Sequence, residues 1–403
     1  NSLIMKKISL FGHGGTMKAL AKHTPNATFY DDKCIETFID DNGFRVKPAS
    51  EFDPKLSDLE IPSPGIPPSN PLIKQANNLI SEYDYFSDST PLSIWISGTN
   101  GKTTTTQMMQ HLLQENGSLA GGNIGTALGD LDPNANIWIL ETSSFTMHYT
   151  NIASPNLYVL LPINPDHLSW HGSMQEYENT KLKPLASMKE GEVAIIPQKY
   201  KDIQTNAYII SYKDENDLAM KLGIETDKVK FKGAFLVDAL LAMAVKKILF
   251  DTIAYNEINT FEIDPHRQEE VRDSKNRLWV NDTKATNIDA TIAALNRYKE
   301  SNIHLILGGD DKGVELSELF EFLITCNVKI YAIGSNKEKL MSLACRYEIN
   351  ALLCKNLEDA VQKIHINLEL DDIALLSPAA SSLDEFTSYA HRGNQFKNTV
   401  GKL

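Results

Sequence analysis

The sequence predicts an α/β protein of three consecutive units, each a parallel sheet flanked by helices. Three observations carry that prediction. Apolar runs of strand length alternate with helix-length segments, the pattern of a parallel sheet covered on both faces. The alternation restarts near residues 89 and 263. Polar, glycine-bearing turns recur where the apolar runs end, which is where open α/β sheets bind ligands. The 403 residues suit three domains at about 100–200 residues each.

The first unit opens with an apolar run over 7–11, then Gly12-His13-Gly14-Gly15-Thr16. A second apolar run over 27–30 ends in Asp31-Asp32. Strand, glycine turn, helix, strand and acid is the opening of a Rossmann-like unit, although Met17 replaces the third glycine of the fingerprint. The turn by itself is a weak phosphate signal, and a tight βα connection is the reading it favours. Residues 61–71 hold five prolines in eleven positions, which predicts a rigid surface loop. The polar stretch 87–91 reads as a linker, ending the first unit at residue 88.

In the second unit, 89–262, strands are predicted over 93–97, 137–140, 157–161, 193–196 and 208–210. Helices fill 102–116, 174–183 and 235–249. The third unit, 263–403, has strands over 278–280, 303–307, 329–333 and 373–376. Its helices are predicted over 288–299, 317–326, 337–346 and 383–400.

Composition sets limits. The balance of 39 basic against 52 acidic residues, a net charge of −13, argues against a general nucleic-acid binder. Anionic small molecules stay compatible, because a pocket is local and net charge is global. No apolar run approaches the ~18–20 residues of a membrane span. Cys34, Cys326, Cys345 and Cys354 are too scattered for a disulfide framework or a Cys-x-x-Cys metal site, and read as idle thiols in a reducing compartment. The first residues lack the apolar core of a secretory signal. The expectation is a soluble cytoplasmic protein with no nucleic-acid partner and no membrane insertion.

The chemistry concentrates at strand ends. The strand over 93–97 runs into Gly98-Thr99-Asn100-Gly101-Lys102-Thr103-Thr104. This is a phosphate loop (P-loop) in its required context. Its glycines let backbone N–H groups face phosphate oxygens, the helix N-terminus adds positive potential, and Lys102 neutralises the β and γ phosphates. Thr103 would place its hydroxyl on Mg²⁺. Glu141 ends the next strand, where a nucleotide-binding sheet holds its metal. Asp166-His167 follows another strand and supplies a candidate metal ligand in His167. Taken alone, Lys181 reads as a solvated helix lysine. In the third unit Pro265-His266-Arg267, Asn281-Asp282-Thr283-Lys284-Ala285-Thr286-Asn287, Gly308-Gly309-Asp310-Asp311-Lys312 and Ser377 through Asp384 sit at successive strand ends. Together they suggest one functional edge; each alone could be a capped βα turn.

These motifs resemble the Mur ligases. The matching segments are Gly98 through Thr104, Gly122-Asn123-Ile124-Gly125, Glu141 through Phe145, Asp166-His167 with Trp170-His171-Gly172, and Tyr177 through Lys181. The third-unit segments above and His391 through Phe396 follow in family order. The 281–287 segment matches the branch that accepts D-glutamate. The resemblance implies a Rossmann-like N-terminal domain for the UDP substrate, a central P-loop ATPase domain, and a C-terminal Rossmann-like domain for the amino acid. It implies ATP-driven joining of D-glutamate to UDP-N-acetylmuramoyl-L-alanine through an acyl phosphate, in a monomer with two Mg²⁺ ions.

By motif position, Gly98 through Thr104, Arg267, Asp282 and Lys284 would hold ATP. Thr103 and Glu141 would hold one Mg²⁺. His167 would hold the second with Lys181, carbamylated by CO₂, so that Lys102, His167 and Lys181 are the implied catalytic residues. Gly14, Thr16, Asp32, Lys33, Ser63, Gly65, Asn123 and Ser144 would meet the UDP-muramoyl substrate. Thr286, Lys312, Ser382, Leu383 and Tyr389 would receive D-glutamate. The chain departs from the family at Gly233-Ala-Phe-Leu-Val-Asp238, which lacks the adenine-binding His-Asn and has Asp238 at the later asparagine. A folylpolyglutamate synthase would share the loop but differ at 281–287. A phosphate-loop switch ATPase would leave the basic residues of 265–313 without a role.

Overall fold

The computed structural model describes residues 5–99, 101–123, 126–163, 171–299 and 301–403. They fall into two compact units, Asn1–Phe261 and Glu262–Leu403.

The first unit holds two sheets. β1 (Ile8–Phe11), β2 (Thr28–Asp31), β3 (Phe38–Ile39), β4 (Arg45–Pro48) and β5 (Leu59–Pro62) order as β3-β4-β2-β1-β5. All pair in parallel except β3 with β4. The chain leaves β1 toward β2 and β4, then returns to the other side at β5. This reversal is a topological switch point, and it lies at the glycine turn after β1. Residues 61 and 62 correct an expectation. They lie in an edge strand whose four residues are buried, and not in a surface loop. An edge tolerates proline because one of its sides has no ladder to complete. Pro71 opens the short helix Pro71–Gln75 behind an Asn70 cap, a position where the missing N–H costs nothing.

The second sheet comprises β6 (Leu92–Ser97), β7 (Ser118–Gly122), β8 (Ile137–Glu141), β9 (Leu157–Leu160), β10 (Val193–Pro197) and β11 (Tyr208–Tyr212), ordered β11-β10-β9-β6-β8-β7 and parallel throughout. β6 and β8 are buried along nearly their whole length, as central parallel strands require. The chain winds outward from β6 in both directions, so the P-loop sits at this sheet's switch point. The P-loop helix, Lys102–Leu113, stops before the expected end at 116. Gln114–Asn116 is a 3₁₀ turn closed by Gly117 in the left-handed region, a common helix terminator. The helix Met174–Ser187 runs past its expected end at 183 and contains Pro184. The helix Ala234–Phe250 lies against Lys102–Leu113. Its Lys246 donates to the Leu112 carbonyl at 3.1 Å and to Asn116 at 2.8 Å, and pairs with Glu115 at 2.5 Å.

The second unit is one sheet of β12 (Glu269–Arg272), β13 (Leu278–Asn281), β14 (Ile303–Leu307), β15 (Val328–Ala332), β16 (Ala351–Leu353) and β17 (Ile373–Leu376), ordered β12-β13-β17-β14-β15-β16. Only β12 is antiparallel to its neighbour. One hydrophobic cluster, containing Leu305 and Phe320, packs on one face; another, containing Trp279 and Phe396, packs on the other. The last helix is Tyr389–Gly401, capped by Ser388. It is expected from 383, but Ser381 through Thr387 instead form the turn after β17.

Candidate active site

Around the first switch point, the turn after β1 meets the one after β5. Gly12 has a positive φ, and a Cβ there would come 3.0 Å from Ser63 Cβ. A Cβ on Gly14 or Gly65 would meet nothing within 4 Å, and Thr16 is half-buried. At the end of β2, Asp31 accepts the N–H groups of His13 at 2.9 Å and Lys33 at 2.7 Å. Asp32 accepts from Asn70 Nδ2 at 2.8 Å. Gly14, Thr16, Asp32, Lys33, Ser63 and Gly65 thus share one edge.

The second switch point is more tightly built. Gly98 and Gly101 both have positive φ. A Cβ on Gly98 would lie 2.5 Å from Leu161 Cβ, and one on Gly101 would lie 2.7 Å from Asp238 Oδ1, so neither position admits a side chain. Lys102 Nζ curls back to donate to the carbonyls of Gly98 at 2.8 Å and Thr99 at 3.0 Å. Thr103 Oγ1 donates to both carboxylate oxygens of Glu141 at 3.2 Å. Glu141 itself is 2% exposed. Asp238 is buried beneath the loop, where it accepts from Thr105 Oγ1 at 3.1 Å. Its carboxylate supports the P-loop helix.

Lys181 is not the solvated helix lysine that its local sequence suggests. It is 1% exposed and donates to Ser97 Oγ at 2.6 Å. Tyr158 OH donates to its carbonyl at 2.5 Å, and Tyr177, whose ring lies 5.7 Å from Nζ, pairs with Thr99 Oγ1 at 3.1 Å. The fold therefore brings Lys102, Thr103, Glu141 and Lys181 to adjoining ends of β6 and β8. Asn123 is exposed after β7, its N–H bonded to the Glu141 carbonyl at 2.8 Å. Ser144 is buried and contacts His171 Nε2 at 2.9 Å. Asn100 and His167 lie outside the described residues.

The oxygen pair of Thr103 and Glu141 suits Mg²⁺, which prefers hard oxygen ligands and takes one or two protein groups plus phosphate oxygens and water. Among the described residues no three of His, Cys, Asp and Glu gather to hold a metal without such help.

In the second unit β13, β17 and β14 are neighbours, so their three polar ends form one edge. Asp310 and Ser381 exchange backbone hydrogen bonds at 2.8 and 3.0 Å, and Ala379 N–H donates to the Ala285 carbonyl at 2.9 Å. Asp282 is 3% exposed. Burial pushes its carboxyl up to about 7, opposed by the Ser377 hydroxyl, the Gln268 N–H, Arg267 and Arg297. Lys284 pairs with Asp264. Lys312, with positive φ, Thr286 and Leu383 are exposed, while Ser382 is buried. The Tyr389 carbonyl accepts from Thr283 Oγ1 at 2.9 Å.

Arg392 organises this edge, although its motif position assigned it no role. It is 1% exposed. Its guanidinium donates to Thr283 Oγ1 at 2.7 Å, the Thr283 carbonyl at 2.9 Å and the Ala380 carbonyl at 3.1 Å. A Cβ on Gly309 would lie 3.3 Å from its Nη1, so it touches all three strand-end loops. Helical spacing alone does not distinguish such an inward arginine from a surface one.

Residues 96–247 match the Mur ligase middle domain. Over 401 residues the chain is 54% identical to a UDP-N-acetylmuramoylalanine--D-glutamate ligase of Campylobacter jejuni, covering 98% of this chain and 100% of the relative. A Helicobacter pylori protein of the same name is 45% identical over 420 residues, with the same coverage. Among solved structures, a MurF ligase from Thermotoga maritima in complex with ADP aligns with a TM-score of 0.49 at 17% identity, covering 100% of this chain and 96% of that one.

Proposed function

The chain belongs to the Mur ligase family, and from that premise we propose how its residues serve the reaction. It is an ATP-dependent ligase that adds D-glutamate to UDP-N-acetylmuramoyl-L-alanine in peptidoglycan precursor synthesis. Full-length identity to ligases of that specificity is the observation that carries this reading.

Residues 1–88 hold the UDP substrate, 89–262 bind ATP, and 263–403 receive the amino acid. Gly14, Thr16, Asp32, Lys33, Ser63 and Gly65 form the UDP edge, and Asn123 and Ser144 meet the muramoyl-alanine end. The P-loop N–H groups and Lys102 bind the phosphates of ATP. For Lys102 this means exchanging the Gly98 and Thr99 carbonyls for phosphate oxygens, a stronger charge-assisted pairing. Arg267, Asp282 and Lys284 also bind the nucleotide, with Asp282 accepting from the ribose. Thr286, Lys312, Ser382, Leu383 and Tyr389 form the D-glutamate site.

The substrate carboxylate attacks the γ-phosphate to give an acyl phosphate and ADP. The amine of D-glutamate then displaces phosphate. Both first reactants are anions, so Lys102 acts by offsetting charge as they meet. Thr103 and Glu141 would hold one Mg²⁺, and His167 with carbamylated Lys181 the second. The metals supply charge neutralisation when bound. A monomer in the cytoplasm belongs to the same proposal; among the described residues no helix is long and apolar enough to cross a membrane.

The test is ADP release by the purified chain with UDP-N-acetylmuramoyl-L-alanine, with and without D-glutamate. Sustained release is expected only with both substrates and ATP. Release indifferent to both would sink the ligase reading.

A further inference from the structure

Resting on the reading of Lys181 as the carbamate-bearing residue, we infer that Ser97 is the positioning residue that holds Lys181 Nζ for reaction with CO₂. Ser97 is the last residue of β6 and is wholly buried. Its hydroxyl donates to the Thr142 carbonyl, beyond the neighbouring strand β8, at 2.8 Å. A hydroxyl has a single hydrogen. With that hydrogen committed to Thr142, the oxygen faces Lys181 as an acceptor, and Nζ donates to it at 2.6 Å.

The direction of the amine is thereby set. One N–H points at Ser97, and the rest of the nitrogen points elsewhere. The Tyr158 phenol holds the main-chain carbonyl of Lys181, and the Tyr177 ring lies 5.7 Å from its Nζ. Long side chains lose rotamer freedom when ordered, and here the fold has imposed that order before any ligand arrives.

The acceptor role of Ser97 matches the chemistry. In carbamylation the lone pair of neutral Nζ forms an N–C bond to CO₂. One C=O π pair moves to oxygen to give the carboxylate, and a proton leaves to solvent. Nothing is oxidised or reduced. The product nitrogen keeps one hydrogen, and Ser97 Oγ remains an acceptor for it. The carbamate N–H is a single donor fixed in a planar group, whereas the amine carries more than one hydrogen and can rotate, so the buried carbamate depends on the Ser97 acceptor more than the amine does.

The test is uptake of ¹³C-bicarbonate by the full chain, read as the carbamate resonance per protein across bicarbonate concentrations. Lys181→Ala defines the background. For Ser97→Ala the half-saturating bicarbonate concentration is expected to rise about tenfold, the factor that one hydrogen bond of about 1.4 kcal/mol represents. Ser97→Thr keeps the oxygen and is expected to stay within about twofold of the parent chain. ADP formation by Ser97→Ala should recover as bicarbonate is added, which a merely misfolded variant would not do. Saturation of Ser97→Ala at the parent concentration overturns the inference and leaves the carbamate reading standing. So does a threonine variant as weak as the alanine one. A parent chain with no Lys181-dependent resonance overturns both.

Discussion

Glu82 offers the sharpest test of the physical account, because its folded-state cost can be worked out. It opens the short helix Glu82–Tyr85 behind the Ser81 cap, is 5% exposed, and leaves Oε2 without a hydrogen-bond partner. Burial pushes its carboxyl from 4.5 up to about 8. The folded chain therefore binds a proton that the unfolded chain releases between those values. Stability from this site is complete below pH 4.5 and is lost as pH rises toward 8, at about 1.4 kcal/mol per pH unit. At about pH 7.5 the loss is about 4 kcal/mol, from about 3 units. A glutamine at this position has no charge to desolvate, and its incompletely paired amide costs about 1–3 kcal/mol. Glu82→Gln should thus be more stable than the parent by about 2 kcal/mol at about pH 7.5, and close to it at about pH 5.5. Urea unfolding followed by tryptophan fluorescence measures this; Trp95 lies 5.0 Å from the Tyr83 ring. The decisive quantity is the difference between the two proteins, which should grow by about 3 kcal/mol over those two pH units. A difference that stays constant with pH would refute the reasoning.

Three further outcomes are expected. Lys102→Ala should lower the rate of ADP formation by about 10²–10³-fold, the scale of one removed charge-stabilising group, with an unchanged melting curve; near-parent activity would remove Lys102 from the site. Nucleotide affinity should rise with pH through about 7 as Asp282 ionises and becomes a full acceptor for the ribose, and calorimetric titration of Asp282→Asn should show weaker binding without that slope. Arg392→Ala deletes three buried donations. At about 1 kcal/mol or more apiece, it should lose about 3 kcal/mol in stability and raise KM for D-glutamate; an unchanged melt and KM would reduce the three-loop link to coincidence.

Much of the fold was legible because its signals are local. The runs at 93–97, 303–307 and 373–376 are mostly apolar, and glycine and polar residues follow them at once. The P-loop was legible for the same reason: its glycines, lysine and threonine act through backbone geometry within seven residues. What was missed shares another character. β7 reads Ser-Leu-Ala-Gly-Gly, which has no strand signature and is held extended by pairing with β8. β5 contains a proline and persists because it lies at an edge. The last helix begins late because Ser388 caps it and the preceding residues are tied into the loops of Asp310 and Arg392.

By itself, then, the sequence determined the α/β class, the strand-end placement of its polar motifs, and the family that its motif order resembles. These follow from periodicity, turn chemistry and residue order, which are properties of neighbours along the chain. Tertiary structure alone decided which side chains are buried and what they face. Lys181 and Arg392 carry the residue types of a solvated surface, and Asp238 is a carboxylate that the fold buries beneath the P-loop. Their surroundings come from strands and helices far away in sequence: Ser97 lies 84 residues from Lys181, Thr105 lies 133 from Asp238, and Thr283 lies 109 from Arg392. Burial of a charge depends on those distant partners, and no local pattern encodes them.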